Sequence, residues 1–179
     1  MKTSLEKFSI LIDDVVTKNE TVFKSLHIYK PLSEIEIKGF EREIGVKLPI
    51  SYKEFLLKYG ELFILGDGFL GSIDNPDRTL ELKNDGHLLP GFVDVYELGD
   101  GTIFCIDTHK KNHNIESPVV LYCPGSEMTR EDCDFISESF GDFILETVWN
   151  NLIAEGVDLS QHQHLKPKNK GWNYTESNI

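Results

Sequence analysis

PLSEIEIKGFEREIGVKLPISYKEFLLKYG, residues 31–60, decides the fold, because the ends of two successive helices are signalled within it. Ser33 and Glu36 have the spacing of a capping box, in which the Ser33 oxygen takes the Glu36 amide and the Glu36 side chain returns to the Ser33 amide. Leu32 and Ile37 have the spacing of a hydrophobic staple. Ile37, Phe40 and Ile44 then share one helical face. Gly45 takes the left-handed conformation that ends a helix without a Cβ penalty. Pro49 opens the second helix near its first turn, where a missing N–H costs nothing. Tyr52, Phe55, Leu56 and Tyr59 give that helix its apolar stripe, and Gly60 stops it. Glu41 and Glu43 read as solvated positions on the first helix.

Before this elbow, Thr3 to about Lys18 reads as a helix, with Thr3 and Glu6 as a second capping box and Leu5, Phe8, Ile12 and Val15 or Val16 on one face. Asn19 is its stop, and residues 20–32 read as a polar connector with scattered apolar points. After the elbow the pattern changes to strands and turns. Leu62–Leu65 is a short apolar run, followed by a glycine-rich stretch through Gly66, Gly68 and Gly71 that reads as turns. Leu80–Leu89 is ambiguous, with a short helix as one reading. Phe92–Leu98 and Thr102–Asp107 flank Gly99-Asp100-Gly101, which marks a hairpin. Both faces of these strands are apolar near the turn, as in a central hairpin packed by helices. Pro118–Cys123 is a third strand, a loop of acids (Glu127, Glu131, Asp132, Asp134) follows, and Phe140 to Leu152 forms the last helix, capped by Ser139 with Asp142. Helices first, strands in the middle and a helix last give an α+β fold, an antiparallel-rich central sheet with N-terminal helices and a C-terminal helix packed around it. The expected organisation is a single domain over residues 1–159 and a polar, loosely ordered tail over 160–179, from which Trp172 and Tyr174 can dock back.

The elbow also carries a resemblance. Glu41, Ile44, Gly45, Leu48, Pro49, Tyr52, Phe55, Leu56 and Gly60 resemble the signature of the SUKH superfamily, named partly for a fungal cell-wall-assembly regulator. Many members close this segment with Asn-Gly where this chain has Tyr59-Gly60. The resemblance extends more weakly from Leu32 to about Leu152. It implies the α+β fold, no catalytic residues, and a role in protein binding. Bacterial members are typically immunity proteins that bind and neutralise a cognate toxin domain, often a nuclease. Fungal members act as interaction hubs, so a non-enzymatic regulatory scaffold is the alternative.

Charge is compatible with protein binding but does not choose it on its own. The chain carries 18 basic and 30 acidic side chains, a net of −12. Residues 1–60 hold 10 basic and 9 acidic groups, whereas residues 61–160 hold 5 and 20. Such a surface repels nucleic acid and anionic membranes and attracts basic partners at salt-sensitive rates. It also serves plain solubility. The toxin partner that the resemblance implies is expected to be basic, met by carboxylates in or beside loops at Asp67, Asp74, Asp77, Glu97, Asp100 and Asp107. Direct nucleic-acid binding and a membrane role are not expected, and no cofactor or metal is implied.

Catalytic readings are weaker. Cys105 and Cys123 lie in strand patterns, where Cys is usually a small buried residue, although His87, His109 or His113 offer a base. Asp107, His109 and His113, or His162 with His164, hint at a metal, but no C-x-x-C pair anchors one. No hydrolase, zincin or kinase motif is present. The opening MKTSLEKFSILIDDVV carries Glu6 and Asp13-Asp14 and lacks a small-residue cleavage site, so it does not read as a signal peptide. Cytoplasmic residence and reduced thiols are the expectation.

Overall fold

Both capping boxes form. The computed structural model describes residues 2–69, 76–97, 100–112 and 115–168, apart from the side chains of Asp67, Pro76 and Asp77. Helix α1 (Ser4–Leu11) starts on Thr3, whose oxygen takes the Glu6 amide, and continues into a π-turn at Ile12–Val16. Helix α3 (Glu34–Ile44) starts on Ser33 and ends at Gly45 with φ 79°. Helix α4 (Ile50–Tyr59) follows Pro49. Its N-terminus is satisfied from a distance: Ser51 donates through its amide and its hydroxyl to Glu116, at 2.9 and 2.8 Å. A carboxylate there also complements the positive end of the helix.

Glu41 is not solvated. Its carboxylate is buried in the elbow, accepting the Leu48 amide at 3.0 Å and pairing with Lys47 at 2.8 Å and Lys53 at 2.7 Å. Burial alone raises its pKa, and the bonds from Lys47, Lys53 and the Leu48 amide outweigh that and hold it below the usual carboxylate range. The sequence reading puts Glu41 on a solvated face of the helix. What local sequence omits is that the elbow folds back over Glu41 and supplies Lys47, Lys53 and the Leu48 amide.

The residues expected to be a connector contain a short helix, α2 (Glu20–Phe23), with Asn19 as its N-cap rather than only a stop, and a two-residue strand, β1 (His27–Ile28). Strands β2 (Leu62–Ile64) and β3 (Asp67–Phe69) form a hairpin across Leu65 and Gly66, both at positive φ, 55° and 91°. Two positive-φ residues match the twist of a tight hairpin. The described part of the glycine-rich stretch, as far as Phe69, is therefore partly strand, and Gly71 lies outside the described residues. Helix α5 (Pro76–Asn84) precedes β4 (Phe92–Glu97) and β5 (Ile103–Asp107), and β6 (Val119–Tyr122) follows. Strand β7 (Asp134–Ser137) lies where only a loop was expected, and α6 (Phe140–Ala154) closes the order.

Among the described residues the sheet has seven strands in sequence order, all neighbours antiparallel. The α+β expectation holds. One sheet face, with Val93, Val95, Phe104, Ile106 and Val119, packs under α1, α4 and α6. Tyr52 and Phe55 of α4 meet Phe140 of α6 edge-on at 4.8 and 5.0 Å between ring centres, the preferred aromatic geometry. The other face carries a smaller cluster of Leu88, Phe92, Ile103, Cys105, Val120 and Tyr122. This explains why β5 reads as apolar on both sides: it is covered on both.

The tail does not begin as loose chain. Ser160–Leu165 is a 3-10 turn, Leu165 is fully buried in the main core, and Lys7 donates to the Lys166 carbonyl at 3.1 Å. One leucine in a polar run is a weak periodic signal but a sufficient anchor. Trp172 and Tyr174 lie outside the described residues.

Candidate partner-binding site

The backbone separates the five described members of the six expected carboxylates into two places. Asp67 opens β3 opposite Ile64, and Phe69 at the other end of β3 pairs with Tyr96. The start of β3 therefore lies at the same end of the sheet as Glu97, the last residue of β4. Asp77 sits in the first turn of α5, beside Arg78, which pairs with Glu97. Asp100 follows in the β4–β5 turn, exposed, its carboxylate accepting the Thr102 amide at 2.9 Å. Bonds from the Thr102 amide and hydroxyl hold the Asp100 carboxyl below its ordinary value. Asp67, Asp77, Glu97 and Asp100 are thus gathered by topology at one end of the sheet. Asp74 lies outside the described residues.

Asp107 is different. It ends β5 opposite Phe92, at the far end of the hairpin, and is fully buried. Its carboxylate pairs with Arg130, accepts the His109 amide at 3.1 Å and lies 3.8 Å from Lys110. Arg130 also donates to the Pro90 carbonyl and lies 4.7 Å from the centre of the Phe92 ring. Asp107 is an internal anchor and is not presented to a partner. Sequence placed it in a loop because Thr108 and His109 end the strand pattern, with no local sign that Arg130 arrives from 23 residues away.

A second buried acid was not singled out by sequence. Asp94 lies on the smaller-cluster face of β4, opposite Cys105, with Arg78 Nε at 3.0 Å. Burial pushes its carboxyl up to about 7, against the pull of Arg78 and of the Tyr96 amide and with a further push from Glu97. An unfolded Asp titrates near ~3.9. Between those values the folded chain holds a proton the unfolded chain lacks, so Asp94 makes stability fall as pH rises from about 4 to about 7. Asp94→Asn is expected to remove part of that decline and to raise Tm at pH 8 by several degrees, on the order of 5 °C. Thermal unfolding at pH 5 and pH 8 checks this; a variant equally destabilised at both would contradict it.

Two of the three thiols are held protonated by burial. Cys105 is fully buried and burial raises its pKa well above the ordinary thiol value. Cys133 is half-buried and shifted the same way for the same reason. Cys123, expected inside a strand, is exposed just beyond β6. Among the described residues, no three His, Cys, Asp or Glu side chains converge as a metal site requires. His113 lies outside that set. Among them also, no helix is long and apolar enough to cross a membrane.

Sequence also missed β7, whose surroundings are acidic: Glu131, Asp132, Asp134 and Glu138 are exposed on and beside it. The signal was two apolar residues, Phe135 and Ile136, between acids, too short to mark a strand by alternation.

Compared with known proteins, residues 31–146 match the SMI1 / KNR4 family (SUKH-1). The match opens on the proline before the Ser33 cap, takes in the elbow and β2 to β7, and stops within α6. No curated protein matches the chain. Since the matched span exceeds half of the 179 residues, the chain belongs to the SMI1 / KNR4 family (SUKH-1).

Proposed function

We propose that this chain is an immunity protein, which binds a cognate toxin domain and blocks it by protein–protein contact, without catalysis of its own. Family membership supports the general reading. The observation that carries the finer one is the charge segregation, with 20 acidic against 5 basic side chains over residues 61–160. A nuclease must be basic where it holds phosphates. Carboxylates set on a rigid sheet substitute for those phosphates and steer association. Asp67, Asp77, Glu97 and Asp100, with Asp74 from the intervening segment, form the proposed contact group. Glu97 is held by Arg78, which gives it a fixed position and a reduced charge.

The test is capture with this protein as bait from its own cells, with mass spectrometry of what is retained. A basic toxin domain is the expected catch. Replacing Asp67, Asp77 and Asp100 together by Asn should then slow association about tenfold at low salt and flatten its salt dependence. Unchanged kinetics would remove the contact from this end of the sheet. Recovery of resident regulatory proteins alone would favour a scaffold.

A further inference from the structure

β7 closes one end of the sheet, paired with β6 and, among the described residues, with no further strand. Such an edge presents backbone N–H and C=O groups along its outer side, a template for another extended chain. Proteins commonly blunt such edges with charge, a bulge or short length, and β7 has Asp134 at its start and a bulge. Here the middle of the strand carries Phe135, which is 58% exposed. A bulge sets Phe135 opposite Val120 on the smaller-cluster face, while Ile136 packs against the main core. Bulges of this kind re-aim a side chain.

The flanks of the strand decide what would pair with it. Glu131, Asp132, Asp134 and Glu138 are exposed. The nearest cation in sequence, Arg130, is turned inward onto Asp107, so it does not neutralise them. The opposite edge, β1, lacks that surplus of acids, since Lys24 and Lys30 beside it pair with Glu20 and Glu36. It is also only two residues long. A second copy pairing β7 to β7 would set these same acids against one another, which is destabilising across a strand pair.

We propose that the outer edge of β7 is a docking strand for an extended, basic segment of a partner protein. That segment adds to the sheet by main-chain hydrogen bonds, sets alternate Lys or Arg side chains against Asp134 and Asp132, and covers Phe135 with an apolar residue. The identification of that partner as a toxin rests on the function proposed above; the docking chemistry does not.

The probe is an eight-residue peptide alternating Lys and Val, added to the full chain at low salt, with amide hydrogen exchange and NMR shifts read residue by residue. The expected result is about tenfold slower exchange at β7 amides at saturation, with shifts centred on Phe135. A peptide alternating Glu and Val should do neither. Asp134→Lys combined with Phe135→Lys should abolish the response, and an unchanged Tm would show that the variant still folds. Shifts confined to β1 or to the β4–β5 turn, or no response, would overturn the proposal. So would concentration-dependent self-association that protects β7 without peptide. If a toxin is captured but leaves β7 unprotected, this inference fails and the function stands; if the peptide docks and no toxin is found, the reverse holds.

Discussion

Arg130→Ala is expected to destabilise the fold by about 3–5 kcal/mol, the usual cost of stranding one member of a buried ion pair. Asp107 is fully buried, and its remaining cation, Lys110, stands 3.8 Å away with a half-exposed side chain. One of its oxygens, Oδ2, already lacks a hydrogen-bond donor among the described residues. Without Arg130 the carboxylate keeps the His109 amide and little else. The same change strips the cation from the Phe92 ring and the bond to the Pro90 carbonyl. Urea unfolding checks the size, and the double change Arg130→Ala with Asp107→Asn separates the causes. If the stranded charge dominates, the double variant recovers more than half of the loss. Equal losses in both would mean that packing, not charge, holds this corner. Arg130 also ties the loop leading into β7, the proposed docking strand, onto the end of β5.

Gly60→Ala is expected to cost about 3 kcal/mol or more, and so to lower Tm by roughly 6–12 °C for a chain of this size. Gly60 has φ 66° and ψ −89°, outside the usual left-handed well as well as the right-handed one. A Cβ there would meet backbone, 2.8 Å from the carbonyl carbon of Lys30 and 3.3 Å from the nitrogen of Pro31. Backbone cannot swing aside as a lysine tip can. At this crossing the strand leading into the elbow passes the end of α4, with Tyr29 donating to the Glu61 carbonyl and Leu32 to that of Leu56. Strain at Gly60 would therefore loosen β1 and the elbow together. A loss below about 1 kcal/mol in thermal or urea unfolding would contradict this crossing geometry.

The elbow was legible because its signals are local. Capping boxes, a left-handed glycine and an apolar stripe are written within a few residues of where they act, and both helices begin and end close to where those signals put them. The β4–β5 hairpin was legible for the same reason. What escaped depends on distant partners. Glu41 reads as solvent-facing until the elbow brings Lys47, Lys53 and the Leu48 amide to it. Glu116 caps α4 across 65 residues, and Asp107 needs Arg130 from across the sheet. β7 escaped because a closing strand buries only one flank, so a short one need not alternate. Leu165 escaped because one anchoring leucine leaves no period.

The candidate site was legible as charge and not as geometry. Counting acids located them after the elbow, but composition is blind to which carboxylates the fold spends on itself. Asp94 and Asp107 are spent, inside the protein against arginines. Asp100 and Glu97 remain at the surface, at one end of the sheet.

Under the proposed function the protein inhibits its toxin by occupying a basic surface, and the activity of the captured toxin domain titrated with the purified protein tests this. Complete loss of activity is expected at one equivalent, with inhibition weakening as salt is raised from about 50 to 500 mM. A captured domain that keeps full activity when saturated would contradict it.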